Sequence, residues 1–195
     1  MTATDLPLVF VTVGTDHHPF DRLMAWVDRW LEAGPPGPVR CLVQTGTSRP
    51  PRRAVHRDYI SYQEMETNLS EASAVVCHGG PGTVMMCRWA GRIPIVVPRR
   101  HDLGEHVDDH QVLFAKRLAS EGELRLAEDE AAFRASLERA LRGDGVVDLR
   151  PEHRAMDAVA RFESLVGGLL GTRMRDAPPA PAQVRQEGTG RAATS

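Results

Sequence analysis

Lysine is nearly missing from this chain: Lys116 stands alone, and arginine supplies the rest of the 24 basic residues. That skew reads as codon bias and carries no information about activity. Cysteine is also scarce. Cys41, Cys77 and Cys87 show no CxxC spacing, which argues against a thiolate metal site, and the first two sit in apolar, strand-like contexts where small buried thiols are common. A reducing cytoplasm is the expected compartment. Net charge is small as well: 26 acidic against 24 basic residues leave a formal -2, so no global field favours nucleic acid or an anionic membrane. The one basic cluster, Arg49 to Arg57, is rich in proline and arginine and reads as a solvated loop. No apolar run approaches the ~20 residues that cross a bilayer. Met1 to Leu6 lacks a basic region followed by an apolar core, so membrane association is expected only peripherally or through a partner. Three enzyme signatures are missing too. Without GxxxxGK[ST], without GxGxxG after the first strand and without GxSxG, a P-loop nucleotidase, a dinucleotide fold and a nucleophile elbow are excluded.

What is present centres on His78-Gly79-Gly80-Pro81-Gly82-Thr83. It follows the apolar run Ala74 to Cys77 and precedes a helix-like segment ending near Ala90. A strand that turns through glycines into a helix makes an anion site: glycine lets the backbone approach a ligand, Pro81 suits the first helical position, and free N–H groups meet the positive end of the helix dipole. A second apolar strand, Ile93 to Pro98, runs into Arg99-Arg100-His101-Asp102-Leu103-Gly104-Glu105-His106 and then Asp109-His110-Gln111. Polar groups at successive strand ends would share one edge of a parallel sheet, where open α/β folds bind ligands.

The remaining pattern alternates. Strands are expected over Leu8 to Gly14, Val39 to Gln44, Tyr59 to Tyr62 and Leu124 to Leu126; helices over Phe20 to Leu31, Gln63 to Glu71, His106 to Ser120, Glu128 to Leu141 and Pro151 to Leu170. This order predicts an α/β fold, a parallel sheet covered by helices on both faces. Length allows one domain, residues 1–171, followed by a tail over 172–195 whose composition predicts disorder.

The first turn, Val13-Gly14-Thr15-Asp16-His17-His18, would lie beside the glycine loop. Gly14 and Thr15 would then add donors for a diphosphate, or merely form a tight turn. His17 and His18 are candidate catalytic bases, since imidazole is tuned for proton transfer near neutral pH, although adjacent exposed histidines are commonly inert. Substrate-binding candidates are His78, Gly79, Gly80, Gly82 and Thr83 for phosphate, with Arg99 to neutralise it. Glu105, Asp109, His110 and Gln111 are suited to sugar or ribose hydroxyls; charge at a helix start is equally explained by the dipole. Asp108 and Asp109 are adjacent, without the separated carboxylates of a metal-bridged diphosphate, so no metal and no cofactor are expected.

On Val9 to Thr15, His78 to Thr83 and Asp109-His110-Gln111, the chain resembles the C-terminal, donor-binding domain of family 28 glycosyltransferases over roughly residues 8 to 142. The likeness is to its small single-domain members, such as catalytic subunits of two-component enzymes of dolichol-linked oligosaccharide and exopolysaccharide synthesis. The resemblance implies a Rossmann-like GT-B half that grips a nucleotide sugar, usually UDP-linked, while a membrane-anchored acceptor-binding subunit completes the cleft. It implies an inverting transfer of a hexose or N-acetylhexosamine to a cell-surface polysaccharide or lipid-linked acceptor, with N–H groups holding the leaving diphosphate. A non-catalytic nucleotide-sugar-binding or regulatory module is the alternative, and a homodimer is a further possibility. One departure stands out. Two-domain relatives often carry a ribose-binding glutamate in the helix after the glycine loop, where this chain has Met85-Met86, which leaves the nucleotide open; the general base is open as well, because in two-part enzymes the partner can supply it.

Overall fold

The computed structural model describes residues 6–146, all within the first of two units into which the chain divides, Met1–Arg154 and Ala155–Ser195. The expected helix over 151–170 and the tail from 172 lie outside the described residues. Strand β1 (Leu8–Thr12) leads into helix α1 (Asp21–Ala33), then β2 (Arg40–Gln44), β3 (Val55–Arg57) and α2 (Tyr62–Glu71). After these come β4 (Ala74–Cys77), α3 (Pro81–Trp89), β5 (Ile95–Val96), α4 (His110–Ser120), β6 (Arg125–Leu126) and α5 (Glu130–Arg139). The six strands pair in parallel in the order β3-β2-β1-β4-β5-β6. The chain reverses direction across the sheet at β1, and the crevice beside β1 and β4 is the switch point at which such sheets bind ligands.

Periodicity assigns the sheet's two faces. Alternate residues Val9, Val11 and Val13 of the first strand and its extension, with Cys41, Val43, Ala74, Val76, Ile95 and Val97, face α1 and α5. There Leu23, Val27 and Trp30 of α1 meet Phe133 and Leu137 of α5, and Trp26 packs its ring 5.8 Å from Phe133. Phe10, Val75, Cys77 and Val96 occupy the alternate positions, and the buried Leu69, Val84, Cys87, Phe114 and Leu118 of α2, α3 and α4 supply apolar partners. Strands buried on both faces read as unbroken apolar runs, which is why β1 and β4 were visible in the sequence. Among the described residues, no helix is long and apolar enough to cross a membrane.

Two elements depart from expectation. The third strand is Val55–Arg57, inside the segment read as a solvated loop, while Tyr59 to Tyr62 is not a strand. Ser61 instead caps α2 in a capping box with Glu64, each side chain taking the other's backbone N–H. The preceding Arg/Pro segment is tied back to α1, where Asp28 accepts the N–H groups of Arg52 and Arg53. The second departure is α4, which starts at His110 and not at His106. A single 3-10 turn, His101–Leu103, ends on Gly104 in the left-handed conformation (φ 69°), and residues 105–109 form bends.

Candidate functional site

The ends of β1, β4 and β5 bring the expected polar residues to one edge of the sheet. His78 is the hub. Its ring is almost fully buried between two glycines: a Cβ added at Gly14 or at Gly80 would overlap it. Gly14 also has φ 75°, so it is doubly required. Burial, helped by the charge of Arg99, pushes the His78 imidazole down to about 4, so the ring is neutral at physiological pH. Its Nδ1 has no hydrogen-bond partner among the described residues. Gly79 has a different task, since a Cβ there would meet the backbone oxygen of Gln111 at 3.0 Å. The missing side chain lets α4 lie against the loop.

Helix α3 then starts with Gly80 as its N-cap and Pro81 in its first turn. Val84 N–H returns to Gly80 O at 3.2 Å, while among the described residues the N–H groups of Gly82 and Thr83 meet no protein acceptor. A Cβ at Gly82 would lie in open space. Among the described residues the loop therefore presents two unpaired donors, the helix dipole and an uncrowded approach, a geometry suited to an anion.

The β1 turn is built differently from what its sequence suggests. Buried Gln44 clamps Gly14, its Oε1 accepting Gly14 N–H at 3.1 Å and its Nε2 donating to Gly14 O at 2.8 Å. Thr12 Oγ1 donates to the same Oε1 at 2.6 Å. Gly14 thus has no N–H left for a phosphate, and its contribution is the absent side chain over His78. Thr15, next to it, is exposed. Asp16 accepts His18 N–H at 2.7 Å and pairs with His18 Nδ1 at 2.6 Å. Burial pushes the Asp16 carboxyl up, but the His18 hydrogen bonds and the charges of Arg99 and His18 outweigh it and hold the group at about 2. His18 is part-buried, whereas the His17 side chain is 83% exposed.

Arg99 and Glu105 are not free for a ligand, contrary to expectation. The Arg99 guanidinium is fully buried and donates to three backbone oxygens, His18 at 2.7 Å, Glu105 at 3.0 Å and Val13 at 3.0 Å, while stacking 4.8 Å above the Phe20 ring. Both Glu105 oxygens are held by Arg22, at 2.8 and 2.7 Å, and one also accepts Arg100 N–H at 3.0 Å. Arg22 further donates to Pro98 O at 2.9 Å. These two charged residues therefore knit the β1 turn, the β5 end and α1 together. Their inward pairing could not be read from sequence because Arg22 lies far away in the chain, on an otherwise ordinary helix. Gln44 was missed for a similar reason: inside an apolar strand, nothing marks it as a clamp.

Of the last motif, Gln111 is buried and its Oε1 accepts Arg99 N–H at 3.4 Å. Asp109 is the N-cap of α4, but its carboxylate accepts His101 N–H at 3.0 Å. His110 is half exposed and turns Nδ1 onto Asp108.

An open parallel sheet with helices on both faces and a glycine loop at its switch point defines a Rossmann-like domain. Residues 8–143 match the family described as glycosyltransferase family 28 C-terminal domain, and the chain belongs to that family. Solved structures with the same fold include CalG4, the calicheamicin glycosyltransferase (19% identity, TM-score 0.53, covering 89% of this chain and 44% of that one). The kitacinnamycin glycosyltransferase (17%, 0.51, 85% and 44%) and the spinosyn forosaminyltransferase SpnP (16%, 0.51, 88% and 44%) are similar in the same way. These neighbours are GT-B glycosyltransferases, and this chain spans less than half of their length. No curated protein matches it.

Proposed function

We propose that this chain is the donor-binding, catalytic subunit of an inverting glycosyltransferase, taking a hexose or N-acetylhexosamine from a UDP-sugar. The observation that carries the reading is the α3 N-terminus, where among the described residues the Gly82 and Thr83 N–H groups meet no acceptor and Gly82 borders open space. Such donors suit the leaving diphosphate. As the bond between the anomeric carbon and the phosphate oxygen breaks, negative charge builds on that oxygen, and preorganised N–H groups stabilise it with no reorganisation. Thr15 and the Thr83 hydroxyl would complete the cradle. His110, with Nδ1 turned to Asp108, keeps Nε2 for a sugar hydroxyl, and Asp109 and Gln111 flank it.

In this reaction an acceptor hydroxyl oxygen attacks the anomeric carbon from the face opposite the diphosphate, which departs with the bonding pair, and a base takes the hydroxyl proton. His18 is the better of the two local candidates. Ionised Asp16 accepts a hydrogen bond from its Nδ1, which leaves Nε2 with the lone pair, the oriented pairing a general base uses. His17 has no such close support. The acceptor, a polysaccharide or a lipid-linked sugar, would be held by a membrane-anchored partner subunit.

Calorimetric titration with UDP, GDP and TDP, in magnesium and in EDTA, tests the donor reading. Preferential UDP binding that survives EDTA is expected; a chain that binds none of the three would contradict it.

A further inference from the structure

Six of the eight histidines, His17, His18, His78, His101, His106 and His110, lie in the segments that follow β1, β4 and β5. Only some of them are engaged by the donor reading. The segment between Gly104 and α4 carries three potential ligands at alternate positions. We propose that His106, Asp108 and His110 form a binding site for a divalent transition-metal ion, with zinc as its representative, and that Asp16 fixes the ligating tautomer of His106.

Geometry favours this triad. One ligand atom from each residue lies within 4.8 Å of the others. His106 Nδ1 and Asp108 Oδ1 are 3.4 Å apart, near the roughly 3.3 Å edge of a tetrahedron whose metal–ligand bonds are about 2.0–2.1 Å. His110 N–H and Nδ1 both pair with the same Asp108 oxygen, which brings the third ring to the group, and an ion would replace the Nδ1 contact. Two imidazoles and one carboxylate, with further positions open, suit zinc and its first-row neighbours.

The tautomer is an independent observation. Asp108 N–H donates to His106 Nδ1 at 3.4 Å, so this nitrogen is the one with the lone pair, and an ion would take that lone pair over from a long hydrogen bond. On the far side of the ring, His106 Nε2, the nitrogen that then carries the proton, lies 3.4 Å from Asp16 Oδ2. A ligating histidine supported through its other nitrogen by a carboxylate is how metal sites orient their ligands. Asp16 is itself pinned by His18, through N–H at 2.7 Å and Nδ1 at 2.6 Å. The His106 side chain is only 11% exposed, so the ring is held by packing as well.

The other histidine group, Asp16, His17 and His18, is a poorer site: its His17 side chain is 83% exposed and 3.8 Å from the Asp16 oxygen, whereas the His106 ring of the triad is only 11% exposed. At the triad the α4 dipole opposes a cation, and the Asp108 and Asp109 carboxylates offset it. Adjacent Asp108 and Asp109 argued against a metal in the sequence; the alternation of Asp108 with two histidines is what the fold brings out.

The full untagged chain, stripped with EDTA and dialysed, is titrated with Co2+ under visible absorption and with Zn2+ in a calorimeter, without nucleotide. Expected are one equivalent of ion and cobalt d–d bands, both lost in His110→Ala and in Asp108→Asn. Asp16→Asn should weaken binding by about 10–100-fold. Asp108 is half exposed, so its variant keeps the question answerable should His110→Ala misfold. Absence of cobalt bands, or undiminished binding in the triad variants, would overturn the site; unchanged affinity in Asp16→Asn would overturn its positioning role. No nucleotide enters the assay, so the outcome is separate from the donor reading.

Discussion

Gly14 and Gly82 sit in two loops at the same edge of the sheet and respond oppositely to substitution. Gly14 has φ 75° and the His78 ring against it, so Gly14→Ala should destabilise the fold by about 1–3 kcal/mol, read as a lower melting temperature. Gly82 has neither constraint, which makes it the position where a methyl group reports on a ligand and not on folding. His78 gives the residue-scale pH dependence. Its folded value of about 4 lies below the ordinary 6.5, so above pH 6.5 it is neutral folded or unfolded. Between pH 6.5 and 4 the unfolded chain binds a proton that the folded chain does not. Stability therefore falls as pH falls through that window, by about 3 kcal/mol in all. Denaturant titrations across pH should show this slope, and His78→Gln should flatten it; equal slopes would place the acid sensitivity elsewhere.

Among elements, the pairing of Arg22 with Glu105 and of Arg99 with backbone oxygens holds the β5 end against the β1 turn and α1. Glu105→Ala would leave Arg22 without its carboxylate and Arg100 N–H without an acceptor. Breaking such a buried pair costs about 3–5 kcal/mol, which thermal melts should register as a loss on the order of 10 °C; a shift near zero would mean that the network is not a strap. Local grammar explains what was legible here. The strand Ala74–Cys77, the glycine loop and the Pro81 helix start were readable because each is encoded within a few residues. Val55–Arg57 was not, because an exposed edge strand with His56 and Arg57 has no apolar alternation and is recognised only by pairing with β2. Residues 106–109 carry helix-like spacing, but His106 is drawn to Asp16 instead, a contact across 90 positions of sequence that no local pattern announces.

For the whole molecule, the parallel α/β sheet was implied by the alternation of elements, whereas its strand order and the fate of the charged residues depended on partners far away in sequence. Arg99 and Glu105 read as ligand contacts and serve as internal ties. If the chain is the donor-binding subunit proposed above, it should show little sugar transfer alone and gain it with an acceptor-binding partner. A radiolabelled-donor assay with and without that subunit checks this, and full activity of the isolated chain would contradict the division.

The most direct test of the central claim is UDP calorimetry on the wild-type chain and Gly82→Ala side by side in EDTA. The account predicts saturable binding to wild type, at least a tenfold loss in Gly82→Ala and matching melting temperatures without ligand. Equal UDP affinity in the two proteins would contradict the placement of the diphosphate at the α3 N-terminus.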